Sequence, residues 1–136
     1  MAIPNGAGGY QVGDGNLGEV TLSTSAIPTA YTAGATLTTA DLAGGAVVYT
    51  SSSTADLALP AVTGVGGVNA DISSAKVNSS FEFSLIATST GVPTITAPAN
   101  SGWTLVGVGL GIASRSVLFR AVKTSATTYN LYRIAG

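Results

Sequence analysis

Two stretches near the C-terminal end alternate apolar and polar residues with a period of two, and this pattern restricts the fold more than any other feature of the chain. In Phe81-Glu82-Phe83-Ser84-Leu85-Ile86-Ala87, the residues Phe81, Phe83, Leu85 and Ala87 share one face, with Glu82 and Ser84 on the other. That is the pattern of a half-buried strand. In residues 116–123, Val117, Phe119 and Ala121 face one way and Leu118, Arg120 and Val122 the other. With Thr128-Tyr129-Asn130-Leu131-Tyr132-Arg133-Ile134, this segment predicts a hairpin turning around residues 124–127. Both hairpin faces are partly apolar, which suits burial on two sides in an oligomer. Leu118, Arg120, Val122 and Tyr132 are therefore the candidate subunit-interface residues.

Between these stretches, glycine occupies positions 107, 109 and 111 of a segment read as a strand over 104–112. One side of that row has no side chains, so another surface must approach it closely. We read that surface as a neighbouring subunit. Trp103 sits between Gly102 and an apolar run and is read as a core residue.

Upstream, the strand signals are shorter: Glu19-Val20-Thr21-Leu22-Ser23, Ala35-Thr36-Leu37, Ala46-Val47-Val48-Tyr49-Thr50, Asp56-Leu57-Ala58-Leu59 and Thr94-Ile95-Thr96-Ala97. Pro93 and Pro98 flank the last and predict an edge strand. Thr38 or Thr39 is placed to cap a single helical turn through Ala40-Asp41-Leu42, stopped by Gly44-Gly45. A second short helix is read over 69–76 with Asn69 as its cap. Residues 29–34 read as linker. Residues 1–18 are too rich in glycine for a regular helix or a central strand. They nevertheless carry Ile3, Tyr10, Val12 and Leu17, spaced like anchors on an extended arm that orders against a neighbour. These signals predict an all-β fold, a β-sandwich or jelly-roll-like domain over 34–136, preceded by an arm and linker over 1–33.

Composition narrows the chemistry. The 136-residue chain has no cysteine and no histidine. This removes thiolate nucleophiles, disulfides, Cys-based metal sites, any Ser-His-Asp triad and the usual general base near neutral pH. The six acids are scattered, so no catalytic, cofactor-binding or metal-binding residues are assigned and the chain is not expected to be an enzyme. Charged residues make up 8% of the chain, against about a quarter in typical domains. A surface so poor in charge suits burial against other subunits. The charges are also segregated: Asp14, Glu19, Asp41, Asp56 and Asp71 precede Arg115, Arg120, Lys123 and Arg133. Head-to-tail complementarity between subunits is one reading of this, and local cancellation within one fold is the other. No apolar run approaches the ~18 residues of a membrane span. The start of the chain lacks the features of a secretory signal. Four basic residues in the last third make no nucleic-acid footprint, so neither membrane nor nucleic acid is an expected partner.

Several motif matches fail on context. Gly13-Asp14-Gly15-Asn16-Leu17-Gly18 fits the dinucleotide fingerprint, but a strand pattern and Pro28 follow where a helix is required. Ser73-Ser74-Ala75-Lys76 fits S-x-x-K without its companion motifs. Asn78-Ser79-Ser80 is a glycosylation sequon that has meaning only in a secretory pathway. Asp14-Gly15-Asn16 lacks the remaining ligands of a calcium loop.

Three groups of segments carry a resemblance. They are Met1-Ala2-Ile3-Pro4-Asn5-Gly6 through Asn16; Asn78-Ser79-Ser80-Phe81-Glu82-Phe83 with Gly102-Trp103-Thr104-Leu105-Val106-Gly107; and Phe119-Arg120-Ala121-Val122-Lys123 through Ile134. Over most of its length the chain resembles the small head decoration (cement) proteins of tailed bacteriophages. The resemblance implies a homotrimer on the outer capsid surface of a virion, clamping major capsid proteins after shell expansion. It transfers no site motif residue by residue. Similar β modules occur in phage fibre proteins, so a fibre or spike module binding a host receptor or glycan is the alternative. That alternative would place Tyr10, Tyr31, Tyr49, Tyr129, Tyr132 and Trp103 on a binding surface.

Overall fold

The short strand signals between residues 30 and 96 do not pair as hairpins. A computed structural model, which describes residues 27–136, winds them alternately through two sheets. The strands are β1 (Ala30–Tyr31), β2 (Ala35–Thr36), β3 (Ala46–Tyr49), β4 (Ala55–Ala58), β5 (Ser80–Ala87) and β6 (Pro93–Thr96). The odd-numbered strands lie side by side in a six-stranded sheet, and the even-numbered ones form a sheet of three. Every pairing among these six strands is parallel. Each odd-to-even crossing therefore falls at one end of the molecule, where the turns stack. Thr50 N–H donates to Tyr31 O at 2.9 Å, Thr88 N–H to Tyr49 O at 2.9 Å, and Gly91 N–H to Ser51 O at 3.2 Å. A jelly roll would be antiparallel. Period-two alternation reports which face of a strand is buried; it carries no information on the direction of the neighbouring strand.

At the opposite end, the return crossings carry two short helices, α1 (Thr39–Ala43) and α2 (Val68–Asp71). The first follows the sequence signal closely. Thr38 Oγ1 accepts from Asp41 N–H at 3.2 Å, the Asp41 carboxylate accepts from Thr38 N–H at 2.9 Å, and Gly44 closes the turn. This reciprocal capping box satisfies two backbone donors that a helix start leaves free. The second helix is shorter than expected. Gly67 caps it, and Asn69 lies inside it, where its side chain serves a contact with the hairpin.

Tyr31 ties β1 to α1. Its hydroxyl donates to Asp41 Oδ2 at 2.5 Å. Burial, then the hydrogen bond to Asp41 and its charge, push the Tyr31 phenol up from 10.0 to about 12. Burial alone would raise the Asp41 carboxyl, but hydrogen bonds from Tyr31 and from the Thr38 backbone bring it below its ordinary 3.8. A depressed carboxyl adds stability that is present above the unfolded value and lost as pH falls through the folded one. A raised phenol adds stability that is complete below pH 10.0 and lost as pH climbs toward about 12. Thermal midpoints measured across pH should thus decline on both sides of a plateau. In Tyr31→Phe both declines should shrink.

The C-terminal stretch adds β7 (Trp103–Val106), β8 (Ser116–Ser125) and β9 (Thr128–Ala135). β8 pairs antiparallel with β5 and with β9, and β7 runs parallel along the far side of β9, giving the order β1-β3-β5-β8-β9-β7. The hairpin turns at Ala126-Thr127, as expected. Inward residues of both sheets share one core: Leu57 and Ile95 meet Tyr49, Phe83, Leu85, Val117 and Phe119. Phe83 and Phe119 stack with ring centroids 5.5 Å apart. Trp103 is a core residue, as its sequence setting indicates. It packs 5.2 Å from the Tyr129 ring, and its Nε1–H donates to Pro60 O at 2.6 Å. Burying each of these large side chains is worth about 2–3 kcal/mol.

Two readings of the sequence need correction. Ala30–Tyr31, read as linker, is a strand bonded to β3, so the boundary drawn at residue 34 falls within the first winding of the chain. The segment read as a strand over 104–112 ends at Val106, and Gly107 turns it with φ +99°. The chain then crosses to the small sheet, where Ile95 N–H donates to Gly109 O at 2.8 Å and Gly111 N–H to Pro93 O at 2.7 Å. β6, expected at an edge, is the last strand of its sheet, and this segment covers it. The bare side of Gly109 and Gly111 is therefore filled by this chain's own β6. A neighbouring subunit is not needed to explain it.

Candidate functional site

The outward face of the large sheet is assembled by strand register. In one row Ala30, Val48, Ile86 and Ser116 lie side by side; in the next, Ala46, Ser84, Leu118 and Ala135. The third holds Glu82, Arg120, Tyr132 and Val106, and the fourth Ser80, Val122, Asn130 and Thr104. The four predicted interface residues, Leu118, Arg120, Val122 and Tyr132, are thus brought onto one face. Leu118, Val122 and Tyr132 are half-buried and Arg120 is exposed, while the alternate residues Val117, Phe119, Ala121 and Leu131 are in the core.

The electrostatics of this face are simple. Its charges are Glu82 and Arg120, and they neutralise each other. Arg120 Nε and Nη2 both donate to Glu82 Oε2, at 2.8 and 2.5 Å. No other salt bridge forms among the described residues. Both side chains stay over 40% exposed, at 45% and 42%, so the pair adds at most ~1 kcal/mol to stability. It does leave the face without net charge. Asn130 Nδ2 donates to Tyr132 OH at 3.1 Å, which holds the ring against the sheet. At one end of the face Val106 and Ile134 are exposed, and the segment that crosses to the small sheet beyond Gly107 exposes Val108 and Leu110. Strand spacings of about 4.8 Å and a rise of about 3.3 Å per residue give the sheet face roughly 500 Å². A standard interface buries about 800 Å² per partner. A partner of ordinary size would cover this rim as well as the sheet.

Sequence reasoning missed Val48, Ile86 and Val106 as members of the face. Ile86 was legible from its parity with Glu82 and Ser84. Val48 and Val106 became members only through parallel pairing, which leaves no local mark in the sequence. The predicted arm residues Ile3, Tyr10, Val12 and Leu17 lie outside the described residues.

Lys123 is a basic residue that leaves the surface. It is 8% exposed, and its Nζ donates to Asn69 Oδ1 at 3.1 Å and to Ala75 O at 3.2 Å, over the Tyr129 ring. Asn69 Nδ2 donates in turn to Ala126 O at 2.7 Å. These bonds fasten the 59–79 excursion to the hairpin. Arg133 is likewise engaged, its Nη1 donating to Leu110 O at 2.7 Å. Neither sign of charge forms a patch on the large-sheet face.

Other chemistry finds little support. Ser73 and Lys76 are both exposed, and Ser79 Oγ accepts from the Lys76 backbone N–H. Among the described residues, no three acids gather as a metal would require. A cleft of about 80 Å³ beside α1 is lined by Ile27, Pro28, Thr29, Ala40, Asp41, Gly44 and Ala46. Ligand pockets run to about 300 Å³ and more. No described helix is long and apolar enough to cross a membrane. No family model, curated protein or solved structure matches this chain.

Proposed function

We propose that this chain is a structural decoration (cement) protein of a tailed-bacteriophage head. In this reading two sheets packed as a sandwich form the body of a homotrimer, the outward face of the large sheet is the contact between subunits, and residues 1–20 reach the major capsid protein. The protein acts by mass action. A ligand that binds the assembled shell and not its separated parts shifts the equilibrium toward the shell. The observation that supports this most is the large-sheet face, half apolar and with its charges mutually cancelled. A sheet face destined for water is predominantly polar.

The receptor- or glycan-binding alternative calls for an exposed aromatic platform. Trp103, Tyr49 and Tyr129 are core residues, Tyr31 is bound to Asp41, and Tyr132 stands apart on the large sheet.

The two readings separate in a sedimentation experiment. The purified chain should pellet with isolated expanded capsids, saturating near one trimer per quasi-threefold position, and should not pellet with host cells or polysaccharide. Deleting residues 2–18 should abolish capsid pelleting and leave the oligomer intact. Unchanged pelleting after that deletion would remove the arm from the account.

A further inference from the structure

We propose that Lys123 and Asn69 form an intramolecular cross-link, in which the Lys123 amine displaces ammonia from the Asn69 carboxamide and leaves an isopeptide bond. The bond ties the 59–79 excursion covalently to the C-terminal hairpin. It does not depend on the capsid reading.

The two reacting groups are already in contact. Lys123 Nζ lies 3.1 Å from Asn69 Oδ1. A C=O bond of about 1.2 Å then puts Nζ within about 4.3 Å of the carboxamide carbon Cγ. Attack needs about 3–3.5 Å, so a shift on the order of 1 Å by the flexible lysine stem completes the approach. Each backbone is pinned close to the side chain it carries. Lys123 N–H donates to Ser79 O at 2.9 Å, Asn78 N–H donates to Lys123 O at 2.8 Å, and Asn69 N–H donates to Val62 O at 2.9 Å. Two groups held in this way react without a bimolecular encounter. The carboxamide is also turned the right way. Asn69 Nδ2 donates to Ala126 O at 2.7 Å, so the carbonyl, and not the amino group, meets the lysine.

The surroundings favour the product. Lys123 is 8% exposed, and its Nζ stands over the Tyr129 ring, 5.9 Å from the ring centre. The described partners of the ammonium, Asn69 Oδ1 and Ala75 O, are neutral oxygens. A buried cation among neutral acceptors carries a desolvation cost that an amide does not. The step balances without oxidant or cofactor. The ammonium first gives one proton to solvent. The Nζ lone pair then adds to Cγ, the Cγ–Nδ2 bond breaks, and a second Nζ proton leaves with Nδ2 as ammonia. The new bond joins residues 54 apart in sequence. Closing so long a loop restricts the unfolded chain and thereby stabilises the fold.

Peptide mapping of the full, unsubstituted chain tests this. The intact mass should fall short of the sequence mass by one ammonia. Trypsin should fail to cut after Lys123 and should release residues 121–133 joined to the peptide that ends at Lys76. In Lys123→Arg the deficit should vanish and the two peptides should come apart. Complete cleavage after Lys123, with Asn69 unmodified, would overturn the proposal. So would an ammonia deficit confined to one linear peptide, which marks succinimide formation at an asparagine, or a deficit that persists in Lys123→Arg.

Discussion

In the proposed trimer, replacing Leu118 with aspartate is expected to yield folded monomers. Leu118 lies on the outward face of the large sheet between Ser84 and Ala135. It is half-buried in the single subunit, so a carboxylate there stays hydrated and the core behind it, formed by Val117 and Phe119, is untouched. In an assembly closed over this face the same carboxylate would be driven into an apolar contact beside the Glu82–Arg120 pair, whose one cation is already engaged. Loss of a central contact of this kind costs about 2 kcal/mol or more, roughly thirtyfold in Kd per interface. Light scattering should therefore report trimer mass for the parent chain and monomer mass for the variant at the same concentration, with the far-ultraviolet spectrum unchanged. Val122→Asp should act the same way. Full-size oligomers in both variants would move the subunit contact elsewhere.

The second large effect is on folding. Gly109→Val is expected to lower stability by on the order of 3 kcal/mol or more, beyond the usual range for overpacking. A Cβ at Gly109 would stand 2.0 Å from the backbone O of Ile95, the residue whose N–H anchors the crossing segment to β6 by donating to Gly109 O. The backbone there cannot yield without parting the two. The neighbouring glycines calibrate the result. At Gly111 the nearest atom is Pro93 O at 2.8 Å, and at Gly107 it is the Arg133 Cβ at 3.5 Å, where the φ of +99° is the obstacle. Valine substitutions should destabilise in the order Gly109, Gly111, Gly107. Urea midpoints at constant m-value would show it. If Gly107 proved the most sensitive, close approach by β6 would not be the reason for the glycine row.

That row shows how far the sequence could be read. The bare side announced a close neighbour, and the neighbour exists, but nothing local said that it was a strand of the same chain about fifteen residues upstream. The strands themselves were legible wherever alternation held. Phe83, Leu85, Val117 and Phe119 are buried as their parity indicates, and the Thr38–Asp41 capping box marks α1 closely. Topology was not legible. A parallel winding and an antiparallel jelly roll place the same residues on the same faces, because parity is a property of one strand and direction a property of two. Ala30–Tyr31 escaped notice because a strand of two residues has no period, and its place comes from bonds to β3 alone. For the candidate interaction face, the hairpin residues followed from parity. Val48 and Val106 could not, since parallel partners far apart in sequence bring them in. Lys123 shares the inward parity of Val117, Phe119 and Ala121, but the Asn69 and Ala75 oxygens that receive it come from a distant excursion.

Imaging a particle that carries this chain tests the central claim most directly. Threefold density is expected on the outer head surface, at the positions where major capsid proteins meet. In that density the large sheets should face one another around the local axis, and the N-terminal segments should run down onto the shell. Density confined to a tail fibre or spike, or single subunits whose large-sheet face is open to solvent, would contradict it.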